Sequence, residues 1–256
     1  MKISIITINY NDAAGLEKTI KSVISQTYKN IEYIVIDGDS GDDSKSILKR
    51  YEEQVDFSIS EPDTGIYNAM NKGIAVAKGD YLLFINSGDV LLDSQVIEQA
   101  VLLELDKDLI YGNIVFVEGD KTRDWVVEDI LSFETFYRST IPHPATFIKR
   151  DLFQKIGVYS EDYRIVSDWE FFLLATCKYN CSYKHINLFL TKFFQDGISA
   201  DPKNFLTLIS ERKAVLLKHF PLFVTDYEQY TQVKEDLRKV RKYVKAKKFV
   251  KGIFKK

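Results

Sequence analysis

Apolar and polar positions in the first half of the chain follow two alternating periods. Ile3–Ile8 is a short apolar run, the pattern of a strand buried on both faces. Leu16, Ile20, Val23 and Ile24 then recur at the spacing of a helix stripe. Ile31–Ile36 predicts a second strand, Ser44–Tyr51 a helix and Val55–Ser60 a third strand. Ile66, Met70, Ile74 and Ala77 give another helical stripe, followed by a fourth strand at Tyr81–Ile85. A helix over Asp93–Leu105 and a strand over Leu109–Val117 complete this half. Strand and helix in alternation predict an α/β fold, a Rossmann-like and mostly parallel sheet with helices on both faces.

The second half is less regular. Pro142-His143-Pro144 reads as a rigid loop before a strand at Ala145–Ile148. Ser167 reads as the N-cap of a helix opening with Asp168-Trp169-Glu170. Gln195-Asp196-Gly197 reads as a turn and Leu206–Leu217 as a helix. No internal repeat is visible.

Ligands of open parallel sheets gather beyond the carboxyl ends of the strands. The polar clusters fall at such ends: Asp37–Asp43, Glu61–Gly65 and Asn86–Asp89. Neither G-x-x-x-x-G-K-[ST] nor G-x-G-x-x-G is present, and Thr7–Asp12 has no glycine to approach a pyrophosphate. A diphosphate near carboxylates then needs a hard divalent cation, which takes one or two carboxylates plus phosphate oxygens. Asp89 is well placed as such a ligand, although Asn86-Ser87-Gly88-Asp89 also spells an ordinary β-turn. Asp37 directly follows an apolar strand and can point into the crevice, whereas the rest of that acidic run also reads as a solvated loop. Asp168 beside Trp169 is either a dipole-stabilised helix-start residue or a general base. His143 is an imidazole held between prolines, structural or functional.

Composition narrows the classes. The chain has 256 residues, 45% hydrophobic, 28% charged and 13% aromatic, which excludes a disordered or fibrous protein. Two cysteines, Cys177 and Cys181, rule out a disulfide framework, and with no histidine at finger spacing no zinc site is expected. No apolar run approaches the roughly 20 residues of a membrane span, and the N-terminus is too quickly polar for a signal peptide. The expected location is the cytoplasm or the inner face of the cell membrane. Charge is uneven: residues 237–256 carry ten basic side chains and no acid, leaving −12 on residues 1–236 of a chain with net charge −2. Leu237, Val240, Tyr243, Val244, Val250 and Phe254 fall on one broad side of that tail. An amphipathic helix on an anionic membrane, a solvated tail and a nucleic-acid contact all fit, but the acidic body shows no nucleic-acid module, so no nucleic-acid partner is expected.

Taken in order, these segments resemble the family-2 glycosyltransferases of the GT-A fold, over Lys2 to about Lys218. The resemblance is carried by Ile3-Ser4-Ile5-Ile6-Thr7-Ile8-Asn9-Tyr10-Asn11 with Leu16, Thr19, Ser22, Gln26 and Tyr28, and by Ile34-Val35-Ile36-Asp37-Gly38-Asp39-Ser40. Ser60-Glu61-Pro62-Asp63-Thr64-Gly65-Ile66-Tyr67-Asn68-Ala69-Met70-Asn71-Lys72-Gly73 is similar to a bacterial branch that builds surface polysaccharides.

The resemblance implies a transferase domain over residues 1–220, with a nucleotide-sugar half at 1–118 and an acceptor half at 119–220, and a basic extension at 221–256. It implies a nucleotide-sugar donor, expected to be a UDP-sugar, and a glycan or polyprenyl-diphosphate-linked acceptor. Thr7, Asn9, Tyr10, Asp37, Asp63, Lys72 and Ser87 would lie around the nucleotide, and Asp89 with Asn86 would hold Mg²⁺ or Mn²⁺. Asp168 would be the base of an inverting transfer, and His143, Trp169 and Glu170 would lie on the acceptor side. This chain departs from the pattern in keeping only the last Asp of the metal motif, and in carrying Met70 where many members carry Arg. A nucleotidyltransferase would need a glycine-rich basic loop where Asn9-Tyr10-Asn11-Asp12 stands. A non-catalytic nucleotide-sugar or polysaccharide-binding relative stays open, and donor hydrolysis separates it from an enzyme.

Overall fold

The computed structural model describes residues 1–194, 197 and 201–253, with side chains as far as Val244. They form two compact units, Met1–Phe205 and the chain from Leu206 onward. The first unit runs β1 (Ile3–Asn9), α1 (Ala13–Ile24), β2 (Ile31–Asp37), α2 (Ser44–Arg50), β3 (Phe57–Ser60), α3 (Ile66–Val76), β4 (Tyr81–Phe84), β5 (Val90–Leu91) and α4 (Val96–Leu102). It continues with β6 (Leu109–Glu118), β7 (Lys121–Trp125), α5 (Phe133–Arg138), β8 (Thr146–Lys149), α6 (Asp151–Ile156), α7 (Ser167–Leu173) and β9 (Tyr183–Phe194).

The strands make one sheet in the order β3-β2-β1-β4-β8-β6-β9-β5, with β7 paired to β6. β3, β2, β1 and β4 are parallel neighbours. β8 inserts antiparallel between β4 and β6, and β9 returns parallel to β6. The fold is the expected α/β architecture, but the sheet is mixed and not mostly parallel: the β3-β2-β1-β4 part follows the alternating pattern, whereas β9, parallel to β6, is not predicted by it.

Residue parity explains why helices cover both faces. Ile3, Ile5, Tyr33 and Val35 pack with Leu16, Ile20 and Val23 of α1, Ile47 and Leu48 of α2, and Val96, Ile97 and Ala100 of α4. Ile6 and Ile36, on the opposite pleat, face α3 at Gly73, where a Cβ would stand 2.6 Å from Ile6 Cγ2. Every residue of β1 is buried, which is why it reads as a continuous apolar run.

Several boundaries differ from expectation for local reasons. Val55 and Asp56 precede β3 because Asp56 caps the sheet edge, accepting from Tyr33 N at 2.8 Å. The helix expected over Asp93–Leu105 spans only Val96–Leu102, and Glu104 follows it at φ 60°. Ser167 is the first helical residue and not the N-cap, since its hydroxyl donates to Ser160 O at 2.6 Å. His143–Ala145 forms a single 3₁₀ turn that leads into β8.

The second unit holds α8 (Phe205–His219) and α9 (Pro221–Ile253). Leu237, Val240, Tyr243 and Val244 are exposed on α9. The Val250 side chain, Phe254 and the Gln195-Asp196 part of the expected turn lie outside the described residues. Among the described residues no helix is long and apolar enough to cross a membrane.

β6 and β9 shift register between Tyr111 and Ile114, where Gly112 lets the strands close up. A Cβ on Gly112 would stand 2.6 Å from Leu188 O and 3.0 Å from Leu190 Cγ, neither of them a yielding side-chain end. Gly112→Ala is therefore expected to lower stability by about 1–3 kcal/mol, read as a lower urea midpoint at unchanged slope. An unchanged midpoint would show that the two strands separate freely there.

Candidate active site

Parallel register brings the ends of three strands together, with Asn9 opposite Asp37 and Asp37 opposite Ser60. Asp37 is fully buried and its lone-pair positions are filled by protein donors. Oδ1 accepts from Asn9 Nδ2 (2.6 Å) and Ser40 Oγ (2.6 Å), and Oδ2 from Ser40 N (3.0 Å) and Ser60 Oγ (2.5 Å). Burial pushes the carboxyl up, but the bonds from Ser40, Ser60 and Asn9 outweigh it and hold Asp37 below the ordinary carboxylate value. Asn9 Nδ2 also reaches Ser44 Oγ at 2.9 Å, while its Oδ1 is buried without a protein partner. Farther along the acidic run, Asp39 is solvent-exposed and paired with Lys45 at 2.5 Å.

Tyr10 is exposed and converges with Asp63 on Gly38. A Cβ on Gly38 would lie 2.5 Å from the Asp63 carboxylate and 3.1 Å from the Tyr10 ring, so glycine keeps this face open. Lys72 pairs with Glu61 at 2.8 Å and donates to Pro62 O at 2.8 Å, bracing the loop that carries Asp63. Thr7 points into the core instead: its hydroxyl lies 3.1 Å from Tyr33 OH and donates to Ile85 O at 2.7 Å.

Asn86–Asp89 forms a turn. Asp89 N donates to Asn86 O at 3.1 Å, and Gly88 takes φ 95°, a conformation that favours glycine. Thr19 Oγ1 fastens the turn to α1 by donating to Asp89 O and accepting from Gly88 N. Lys18 lies 3.0 Å over the Phe194 ring and donates to Gly88 O, while Phe194 N donates to Asp89 Oδ1 at 3.0 Å. Among the described residues Asn86 Oδ1 and Ser87 Oγ are buried without protein partners. An amide and a hydroxyl oxygen beside the Asp89 carboxylate are donor types that suit Mg²⁺ or Mn²⁺. Among the described residues no three His, Cys, Asp or Glu side chains gather around one point, so a cation here would need further ligands from phosphate and water.

Asp168 stands half-buried in the first turn of α7 and accepts from Tyr67 OH on α3 at 2.8 Å. Tyr67 packs on Tyr159, whose hydroxyl lies 2.9 Å from His143 Nε2. His143 stacks on Phe84 inside this aromatic cluster; burial lowers its pKa, and the Asp168 charge opposes part of that effect. Trp169 and Glu170 are buried, and the indole donates to Phe136 O at 2.8 Å, tying α7 to α5. The structure thus groups His143 with Asp168 and turns Trp169 inward.

The sequence profile of Glycosyl transferase family 2 matches residues 4–167. The chain belongs to this family. It is 38% identical over 204 residues to an uncharacterized glycosyltransferase of Mycobacterium tuberculosis, covering 77% of each. It is 29% identical over 174 residues to a PGL/p-HBAD biosynthesis glycosyltransferase of Mycobacterium bovis, covering 66% of this chain and 67% of that one. The fold is shared with S. aureus TarS 1–349 in complex with UDP-GlcNAc, at TM-score 0.66 and 17% identity over 85% of this chain and 67% of that one. It is also shared with the mannosyltransferase PcManGT from Pyrobaculum calidifontis in complex with GDP-Man and Mn²⁺, at TM-score 0.59 and 17% identity over 88% and 64%.

Within this family-2 chain, Met70 is buried, so α3 offers no cation at that point. Sequence reasoning missed Glu161, which accepts from Thr64, Asn68 and Asn71, and missed the bracketing of the Tyr159 backbone by Asn71 at 2.9 and 3.0 Å. The available signal was spacing: Thr64, Asn68 and Asn71 recur at i, i+4 and i+7, a polar helix face.

His143 has a depressed pKa in the fold and the ordinary value, 6.5, when unfolded. The unfolded chain then binds the proton more readily, so stability falls as pH drops below that value. The thermal midpoint is expected to fall more between about pH 7 and about pH 5.5 in the wild type than in His143→Gln. Equal slopes would mean that this imidazole is not held neutral.

Proposed function

We propose that the protein transfers a sugar from a UDP-sugar to a hydroxyl of a glycan or lipid-linked acceptor, with inversion at the anomeric carbon. The observation that carries this reading is the half-buried Asp168, with Oδ1 bonded to Tyr67 and, among the described residues, no partner on Oδ2. It is a carboxylate with one oxygen fixed and one left for a proton. As the acceptor oxygen attacks the anomeric carbon, Oδ2 takes its proton, the bond from that carbon to the diphosphate breaks, and the nucleoside diphosphate leaves. Attack opposite to the leaving group inverts the centre, by the logic of the water-activating base in inverting hydrolases.

Tyr10 and Asp63 line the open face beside Gly38 and receive the nucleoside. Asp37 fixes Asn9 and Ser40 at the edge of that face. Asp89, with Asn86 and Ser87, would hold Mg²⁺ or Mn²⁺. When bound, the ion supplies charge neutralisation to the departing diphosphate.

Asp168→Asn is expected to lower turnover by about 10²–10⁴-fold, measured as UDP release from a panel of UDP-sugars. Calorimetric UDP affinity is expected to stay unchanged. Retained turnover would remove Asp168 from the role of base. Mn²⁺ is expected to tighten UDP binding in the wild type and not in Asp89→Asn, and metal-independent binding would refute the cation site. No UDP release from any sugar, with nucleotide binding intact, would favour a non-catalytic binding relative.

The basic side chains Arg238, Lys239, Arg241 and Lys242 lie interleaved with exposed Leu237, Val240, Tyr243 and Val244 on α9. This combination supports peripheral attachment to an anionic bilayer, where a lipid-linked acceptor would be presented. Deleting residues 237–256 is expected to abolish co-sedimentation with phosphatidylglycerol vesicles, and undiminished binding would exclude the tail as the anchor.

A further inference from the structure

Among the described residues the phenol of Tyr67 is the one protein group bonded to the Asp168 carboxylate, and it comes from 101 residues earlier in the chain. Its position is built in. The Tyr67 ring packs on Tyr159 with centroids 5.7 Å apart. The Tyr159 backbone is bracketed by Asn71 from the same helix, and its hydroxyl meets His143. Glu161, two residues beyond Tyr159, accepts from Thr64, Asn68 and Asn71. Ser167 Oγ donates to Ser160 O, closing the segment onto the start of α7. One polar face of α3 therefore docks the whole stretch that delivers Asp168.

Tyr67 is buried, and burial, followed by the nearby Asp168 charge, pushes its pKa well up. The phenol therefore stays protonated and acts as a donor toward the carboxylate. A donor aimed at the charged form of an acid favours that form. The other titratable groups that feel Asp168 are Tyr159 and His143: burial keeps the first a neutral phenol and lowers the pKa of the second.

We propose that Tyr67 is a positioning residue for the base: its phenol occupies Oδ1, fixes the orientation of the Asp168 carboxylate and leaves Oδ2 as the oxygen that takes the acceptor proton. This rests on the reading of Asp168 as the base. In this arrangement the polar face of α3, with Thr64 just before it, serves proton transfer by orienting its acceptor.

The test is the pH dependence of UDP release from the most active UDP-sugar. Tyr67→Phe removes one oxygen and keeps the ring on Tyr159. It is expected to reduce kcat by about tenfold or more, to leave KM for the donor unchanged, and to move the acid limb upward by about one pH unit. Replacing Tyr67 by 3-fluorotyrosine keeps the shape and strengthens the donor, so the acid limb is expected to move downward. Opposite movements in the two variants support the proposal. An unmoved acid limb in both overturns it, including the case where kcat alone falls, which is the mark of a merely structural role. Asp168→Asn is assayed alongside. If it keeps turnover, the reading of the base fails; if it is inactive and the Tyr67 variants leave the limb in place, only the Tyr67 assignment fails.

Discussion

A buried carboxylate must be supplied with hydrogen bonds or it will not stay ionised inside a protein, and this requirement organises the carboxyl ends of the first three strands. Asp37 has no solvent exposure, and four bonds satisfy it, from Asn9 on β1, Ser40 in the following loop and Ser60 on β3. Each donor is thereby fixed. Asn9 is held so that Nδ2 faces Asp37 and Ser44, Ser40 draws the loop back over the strand ends, and Ser60 sets the start of the segment leading to Asp63. Removing the carboxylate would leave several donors unpaired together, which is why this constraint ranks above any single apolar contact nearby.

The second organising feature is the polar face of α3. A helix between sheet and solvent normally offers its outer face to water. Here Tyr67, Asn68 and Asn71 spend that face on the segment from Tyr159 to Asp168, while Gly73 on the inner face lets the helix approach Ile6 and Ile36. The same eleven residues thus pack on the parallel strands and align a carboxylate from the second half of the unit. Close packing inside and directional hydrogen bonds outside give α3 two rigid references.

Much of this was legible along the chain. The strand and helix order of the first half follows from the change between run-type and 3.6-residue apolar spacing, and the strand ends follow from polar clusters in which Asp37 and Asp89 stand. The ambiguity at Asn86–Asp89 was real, because a tight turn and a cation-facing loop use the same residue types. The structure shows the turn in the backbone, and among the described residues Asn86 Oδ1 and Ser87 Oγ have no protein partner. Thr7, Trp169 and Glu170 were less legible. A polar residue in an apolar strand or at a helix start gives no indication of which way its side chain faces until the neighbouring layer is known.

Local sequence by itself determined where strands and helices form and which residue types cluster at strand ends, since both depend on short-range periodicity and turn chemistry. Family membership was legible for the same reason, as an ordered series of short motifs. Only the tertiary structure decided that Thr7 is consumed by Tyr33 and Ile85, that Trp169 anchors α5, and that Tyr67 meets Asp168. Those outcomes depend on contacts between residues tens to a hundred positions apart, whose partners are fixed by how the sheet closes and the helices dock, which no local pattern encodes.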